Sequence, residues 1–214
     1  MGNIIFLEDL IRRYPKLASV KDEIQKAADC LIKCYQQGRK VLVCGNGGSC
    51  SDSDHIVGEL MKGFEQMRPV GEILKKQLVE ISEERGIYLA GKLQQGLPAI
   101  SLTAHNALIT AVANDIDTDL VFAQQIIGYG HTGDVLIGIS SSGNSQNVVD
   151  AIITAKAKGM VVIGLTGEIG GKMKTYCDIL INVPGRRTAF VQELHLPVYH
   201  TLCLMVENSF FGNQ

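Results

Sequence analysis

Apolar residues at Leu17, Val20, Ile24, Ala27, Leu31 and Tyr35 step by three or four, the spacing of one face of a helix. The pattern predicts an amphipathic helix over residues 16–37, closed by Gly38, within an N-terminal helical region of about 3–37. The spacing then changes. "KVLVCG" (40–45), "PAISLT" (98–103), "DVLIGIS" (134–140), "MVVIGLTG" (160–167) and "DILINV" (178–183) are short continuous apolar runs separated by helix-like stretches. Runs without alternation belong to strands covered on both faces. Five of them predict a parallel sheet with helices on either side, a three-layer α/β/α arrangement of flavodoxin type, joined by right-handed crossovers.

Composition narrows the picture further. A chain of 214 residues, 46% hydrophobic, with a formal net charge of -2, suffices for one such core and predicts a single domain over 1–214. Scattered Lys and Arg leave no electrostatic footprint for nucleic acid, and no apolar run reaches the roughly 18 residues of a membrane span. The opening "MGNIIFLEDLIRRYPK" carries its charges after its apolar residues, unlike a signal peptide. Phe6 stands where a myristoylation signal needs Ser or Thr. A cytoplasmic protein is expected. The six cysteines, Cys30, Cys34, Cys44, Cys50, Cys177 and Cys203, lack zinc-ribbon spacing and read as reduced thiols, with Cys50 singled out for reactivity by its glycine-rich loop.

In an open parallel sheet the ligand sits beyond the carboxyl ends of the strands. Two loops there have the same make-up: "GNGGSCSDS" after the first strand and "SSSGNSQN" (140–147) after the third. Each puts glycine, hydroxyls and amides just ahead of a helix, where free N–H groups and the helix dipole attract an anion. Neither has a Walker lysine, and "GNGGSC" does not fit the dinucleotide fingerprint. A phosphate held by hydroxyls and N–H groups is expected rather than ATP or NAD. Either loop alone could be a helix cap with a tight turn, but Ser140, Ser141, Ser142 and Ser145 are more hydroxyls than a cap uses.

His55 and Glu59 follow the first loop at a spacing of four, which places them on one helical face about 6 Å apart. Such a pair can share a metal, share a proton, or simply form a surface or buried hydrogen bond. Its place just downstream of the phosphate loop favours the first two.

Taken together, "CGNGGS", "HIVGEL", "AND", "GISSSGNS", "GLTGEIGGKM" and "VQELHLPVYH" resemble the sugar isomerase (SIS) fold and, within it, the sedoheptulose-7-phosphate isomerase, or phosphoheptose isomerase, family. The resemblance implies a homotetramer that interconverts sedoheptulose 7-phosphate and D-glycero-D-manno-heptose 7-phosphate. By motif, Ser49, Ser140, Ser141 and Ser145 would hold the phosphate. Asn46, Gly47, Gly48, Asn114, Asp115, Ser142 and Gln192 would complete the substrate site. The family's zinc, one per subunit, would fall on His55, Glu59, Gln192 and His200, with Glu59 and His200 as the proton-transferring pair. Aldose–ketose isomerisation passes a proton between C1 and C2 through an enediol and needs a base, a proton donor and an electrophile, which those groups would supply.

The ligand set raises a geometric question. Gln192 and His200 are eight residues apart, roughly 12 Å along a straight helix, so they cannot share a metal there. Either Pro197 disturbs the helix and Gln192 precedes its first turn, or the two ligands come from different subunits. His195 is expected to be a decoy.

The chain also departs from the family pattern. His105 stands where an Asp is common, Phe190 where an Arg precedes the Val–Gln pair, and Gly63, beside Lys62, where a basic residue follows the catalytic Glu by four. The segment 65–97 is longer than the family suggests. Leu74, Leu78 and Ile81 mark it as an amphipathic helix, then Gly86, then a second short helix, packing on the core or a neighbouring subunit, or gating the site. Hydrophobic surface on the N-terminal helix and on "LCLMVENSFF" suggests burial between subunits. The other function class is a non-catalytic SIS protein, a phosphosugar sensor or a replication-initiator-associating scaffold. Retention of Glu59 and His200 favours the enzyme.

Overall fold

The computed structural model describes residues 2–212. Five strands, β1 (Val41–Gly45), β2 (Ala99–Ser101), β3 (Val135–Ser140), β4 (Val161–Gly167) and β5 (Ile179–Val183), lie inside the five apolar runs. All pair in parallel, in the order β2-β1-β3-β4-β5. This is the flavodoxin order, with its switch point between β1 and β3. Val41, Val43, Val135, Ile137 and Ile139 face one core, and Leu42, Cys44 and Leu136 the other, as the two-residue period of a strand requires.

The first core is covered by helices α1 (Gly2–Arg13), α2 (Lys21–Gln36), α3 (Gly48–Met61) and α9 (Thr188–Phe211). Helices α6 (Asn106–Asp115), α7 (Ala123–Tyr129) and α8 (Gln146–Ala157) contribute to the second. The helix expected over 16–37 begins later, because Pro15 leads a short 3-10 helix, Pro15–Val20. Gly38, at φ +67, closes it as expected. "LCLMVENSFF" does not supply the open surface anticipated: Leu202, Cys203, Met205 and Val206 are consumed by the chain's own first core, with Leu7 and Leu10 of α1.

Helices α4 (Glu72–Ile81) and α5 (Glu83–Lys92) form a hairpin that packs chiefly on itself. No residue of α4 is buried, and Ile73, Ile81 and Ile87 stand exposed, so packing on the core is not the role of this segment. The break falls at Ser82, not at Gly86. A Cβ on Gly86 would lie 2.1 Å from the Leu78 carbonyl oxygen, so this glycine is where α5 presses against α4. The hairpin's neck is closed by a bridge between Pro69 and Gln94 and by the Gln95 N–H donating to the Arg68 carbonyl at 2.7 Å. Among the described residues no helix is long and apolar enough to cross a membrane.

Candidate active site

The loops after β1 and β3 meet at the switch point. Asn46 Nδ2 donates to Asn147 Oδ1 at 2.8 Å, and Asn147 Nδ2 returns a bond to Asn46 Oδ1 at 3.0 Å. Gly47, at φ +57, turns the chain into α3 in a conformation L side chains rarely adopt. A Cβ on Gly48 would meet Gln192 Nε2 at 2.5 Å; the bare backbone lets that amide lie against the start of α3. Neither α3 nor α8 has a side-chain cap. Ser145, at the N-cap of α8, instead exchanges a hydrogen bond with Ser140 at 3.0 Å. Ser49 and Ser140 are buried and Ser141 and Ser145 half-buried. Ser142 Oγ accepts from the Asn144 N–H. These are two uncapped helix starts side by side, the arrangement that holds an anion.

Helices α3 and α9 then run alongside each other in the same direction. Gly48 meets Gln192, Asp52 and His55 meet Tyr199, and Arg68 ties the carbonyls of Glu59 and Leu60 to Glu207. His55 Nε2 is 3.2 Å from Glu59 Oε1, and Lys62 Nζ donates to Glu59 Oε2 at 3.1 Å. The His200 ring lies edge-on to His55 at 4.9 Å and against Phe64 at 5.3 Å. Its Nε2 is buried without a hydrogen-bond partner. Burial first, and His55 second, push His200 below the usual imidazole range, leaving it neutral near pH 7. His200 also borders a cleft of about 160 Å³ lined by Arg13, Phe64, Pro197 and Leu204.

Helix α9 continues through Pro197, and Gln192 is its fifth residue, not a residue ahead of its first turn. The expected disturbance is absent, so Gln192 lies by the phosphate loop and His200 two turns on, by His55. Among the described residues no three His, Cys, Asp or Glu side chains converge as a metal site. The donor chemistry nevertheless suits zinc in part. The 3.2 Å between His55 Nε2 and Glu59 Oε1 is close to the edge, about 3.3 Å, of a tetrahedron with bonds of about 2.0–2.1 Å, and His200 offers a buried, unpartnered nitrogen.

His195 is fully buried, and burial, opposed in part by the Thr166 backbone, lowers its pKa to about 4. It takes no part in the hydrogen bonds and ring contacts that join His55, Tyr199 and His200. Asn114 and Asp115, at the exposed end of α6, bond to each other at 2.8 Å and are not joined to either loop within this chain.

The SIS domain model matches residues 6–80 and 78–167. The phosphoheptose isomerase of Burkholderia pseudomallei (strain 1710b) is 41% identical over 191 residues, 89% of this chain and 84% of the relative. That of Aneurinibacillus thermoaerophilus is 37% identical, covering 89% and 83%. The structure of phosphoheptose isomerase GmhA from Neisseria gonorrhoeae superposes with a TM-score of 0.74 at 32% identity, covering 94% of each chain. This chain belongs to the phosphoheptose isomerase family.

Against the phosphoheptose isomerase pattern, the departures acquire physical reasons. A Cβ on Gly63 would lie 2.4 Å from the Gln66 carbonyl oxygen and 2.5 Å from Gln94 Oε1, so no side chain fits there, and Lys62 supplies the cation at Glu59 instead. His105 caps α6, its Nδ1 accepting from the Leu108 N–H at 3.2 Å. Phe190 is exposed beneath the Arg187 guanidinium at 4.9 Å.

Sequence reasoning missed Asp52, Tyr199, Asn147, Arg68 and Glu207. Asp52 carried a signal, being three residues before His55 and hence on its helical face. Arg68 and Glu207 carried none, since only the fold unites residues 139 positions apart.

Proposed function

We propose that this phosphoheptose isomerase family member interconverts sedoheptulose 7-phosphate and D-glycero-D-manno-heptose 7-phosphate as an aldose–ketose isomerase. The reading rests above all on the line formed by α3 and α9: an uncapped, hydroxyl-rich anion site at one end, and Glu59 against His55 and His200 two to three turns on. A sugar anchored by its phosphate in the loops lays its other end over those side chains.

Ser49, Ser140, Ser141 and Ser145, with the N–H groups starting α3 and α8, hold the phosphate. Asn46, Gly47, Gly48, Ser142 and Gln192 shape that end of the site. Glu59 takes the proton from one of the two reacting carbons and returns it to the other, while the neutral His200 passes a proton between their oxygens. Lys62 keeps the Glu59 carboxylate oriented. A zinc ion held by His55, Glu59 and His200 would polarise the carbonyl and acidify the neighbouring C–H bond. Gln192 would join that set only from another subunit, and Asn114 and Asp115 would likewise reach a site only across an interface. A homotetramer, working in the cytoplasm, fits both requirements.

Incubating purified protein with sedoheptulose 7-phosphate and following aldose formation tests the reading, with zinc content measured on the same sample. Turnover of this ketose above other ketose phosphates is the expected result. Tight binding without turnover would instead support a phosphosugar-binding SIS protein.

A further inference from the structure

Tyr199 stands between the catalytic cluster and a carboxylate the proposed chemistry does not use. Its hydroxyl donates to Asp52 Oδ1 at 3.2 Å and lies 3.1 Å from His55 Nδ1. Asp52 and His55 lie on one face of α3, and Tyr199 reaches both from α9. The tyrosine ring is buried and meets the His55 ring edge-on, at 5.5 Å and 74°.

The proton count decides the direction of these bonds. A phenol has one proton, and an ionised carboxylate only accepts. With that proton given to Asp52, the tyrosine oxygen is an acceptor, and His55 must donate to it from Nδ1. A neutral imidazole has a single N–H, so Nε2 is left with its lone pair, aimed at Glu59 Oε1 at 3.2 Å. Two lone-pair atoms at that distance share a cation: a metal ion when one is bound, or a proton on Nε2 when none is, and in both cases Nδ1 keeps its proton toward Tyr199.

We propose that Tyr199, oriented by Asp52, is a positioning residue that fixes the His55 ring in its Nδ1–H tautomer and so presents Nε2 as a free donor beside Glu59. The arrangement is the histidine–carboxylate support found behind many metal ligands, lengthened here by one hydroxyl. Its kinetic consequence rests on the metal-assisted isomerase reading; the tautomer itself does not.

The test uses the full-length ¹⁵N-labelled protein stripped of metal, with ring ¹⁵N–¹H correlations assigned to His55 and recorded at alkaline pH, where the ring carries a single proton. The parent is expected to show the Nδ1–H form. Tyr199→Phe keeps the ring's shape and is expected to lose that preference. Asp52→Asn replaces an acceptor with a group that can donate to the tyrosine oxygen, turning the phenol proton toward His55 and favouring the Nε2–H form. In chelator competition both variants should bind zinc at least about 10-fold more weakly. Their kcat should fall while KM for the sugar phosphate stays within about twofold. A His55 tautomer unchanged in both variants would overturn the proposal, since a merely structural tyrosine leaves it unmoved. If the parent binds no zinc and turns over without it, the metal reading fails, and the tautomer measurement still decides the role of Tyr199.

Discussion

Asn46 and Asn147 exchange two amide hydrogen bonds across the switch point of the sheet, one from each loop that starts a helix. The pair makes the two anion-binding loops a single unit: neither can shift without stretching a bond to the other. Asn46→Ala and Asn147→Ala are each expected to raise KM for the sugar phosphate about 30-fold, near 1 kcal/mol for each of the two bonds that either change removes, with kcat nearly unchanged. The double variant should be little worse than either single one, because both remove the same link. Steady-state kinetics over the four proteins checks this. Additive losses would mean that each amide contacts the substrate independently.

Glu59 and His200 face each other's surroundings through His55, and neither is a core residue whose loss would unfold the chain. Glu59→Gln and His200→Asn should each lower kcat by about 10²-fold or more, with unfolding midpoints close to the parent's. Near-parental kcat in either variant would remove that residue from the proton-transfer pair.

Arg68 and Glu207 form a fully buried ion pair. Glu207 also accepts from the N–H groups of Phe64, Glu65 and Gln66, while Arg68 donates to the carbonyls of Leu60 and Glu59. Burial alone would raise the Glu207 pKa. The N–H groups of Glu65 and Phe64 and the Arg68 guanidinium outweigh it and hold the carboxyl below its usual 4.5. A depressed carboxylate stabilises the fold above its unfolded-state pKa, and that stability drains away as the pH falls through the folded-state value. Glu207→Gln should cost about 3–5 kcal/mol at pH 7 by leaving Arg68 unpaired. It should also flatten the acid limb of the stability curve below about pH 4.5, as read by urea unfolding at several pH values.

His195 acts in a different window. Its imidazole titrates near 6.5 when unfolded and near 4 when buried, so the folded state resists the proton that the unfolded chain accepts. Stability is fully present above about pH 6.5 and falls as the pH drops toward 4, by about 3 kcal/mol over that interval. His195→Leu should remove this slope while leaving stability at pH 7 within about 1.5 kcal/mol, the usual cost of a swap of similar volume in a packed core. Parallel unfolding curves for parent and variant between pH 7 and pH 4.5 would refute it.

The strands were readable to within a residue or two because each is buried on both faces, which forces an uninterrupted apolar run that few other elements need. The loops at β1 and β3 were equally open to reading, as glycine and hydroxyls cluster there for reasons of backbone geometry. Pro197 misled, because a proline removes one backbone donor without ending a helix whose other bonds and buried face hold it. Gly86 misled for a related reason: glycine serves close packing as well as chain breaks, and its neighbour Leu78 is on another helix. The lateral partners of the site, Asn147 for Asn46 and Tyr199 for His55, lie 101 and 144 residues away. No spacing rule reaches that far; only the register of α9 along α3 brings them together.

The bridge between Pro69 and Gln94 has a consequence for how this chain can change over time. Because the neck is fastened below the hairpin, everything above it hangs from two adjacent points, much as a branch does from its collar. A short turn spliced between residues 70 and 93 would rejoin ends that already lie side by side, at little entropic cost. Such a trimmed protein should keep its unfolding midpoint and its affinity for inorganic phosphate. Within a single chain, lengthening, trimming or exchanging the arm therefore leaves the sheet beneath untouched.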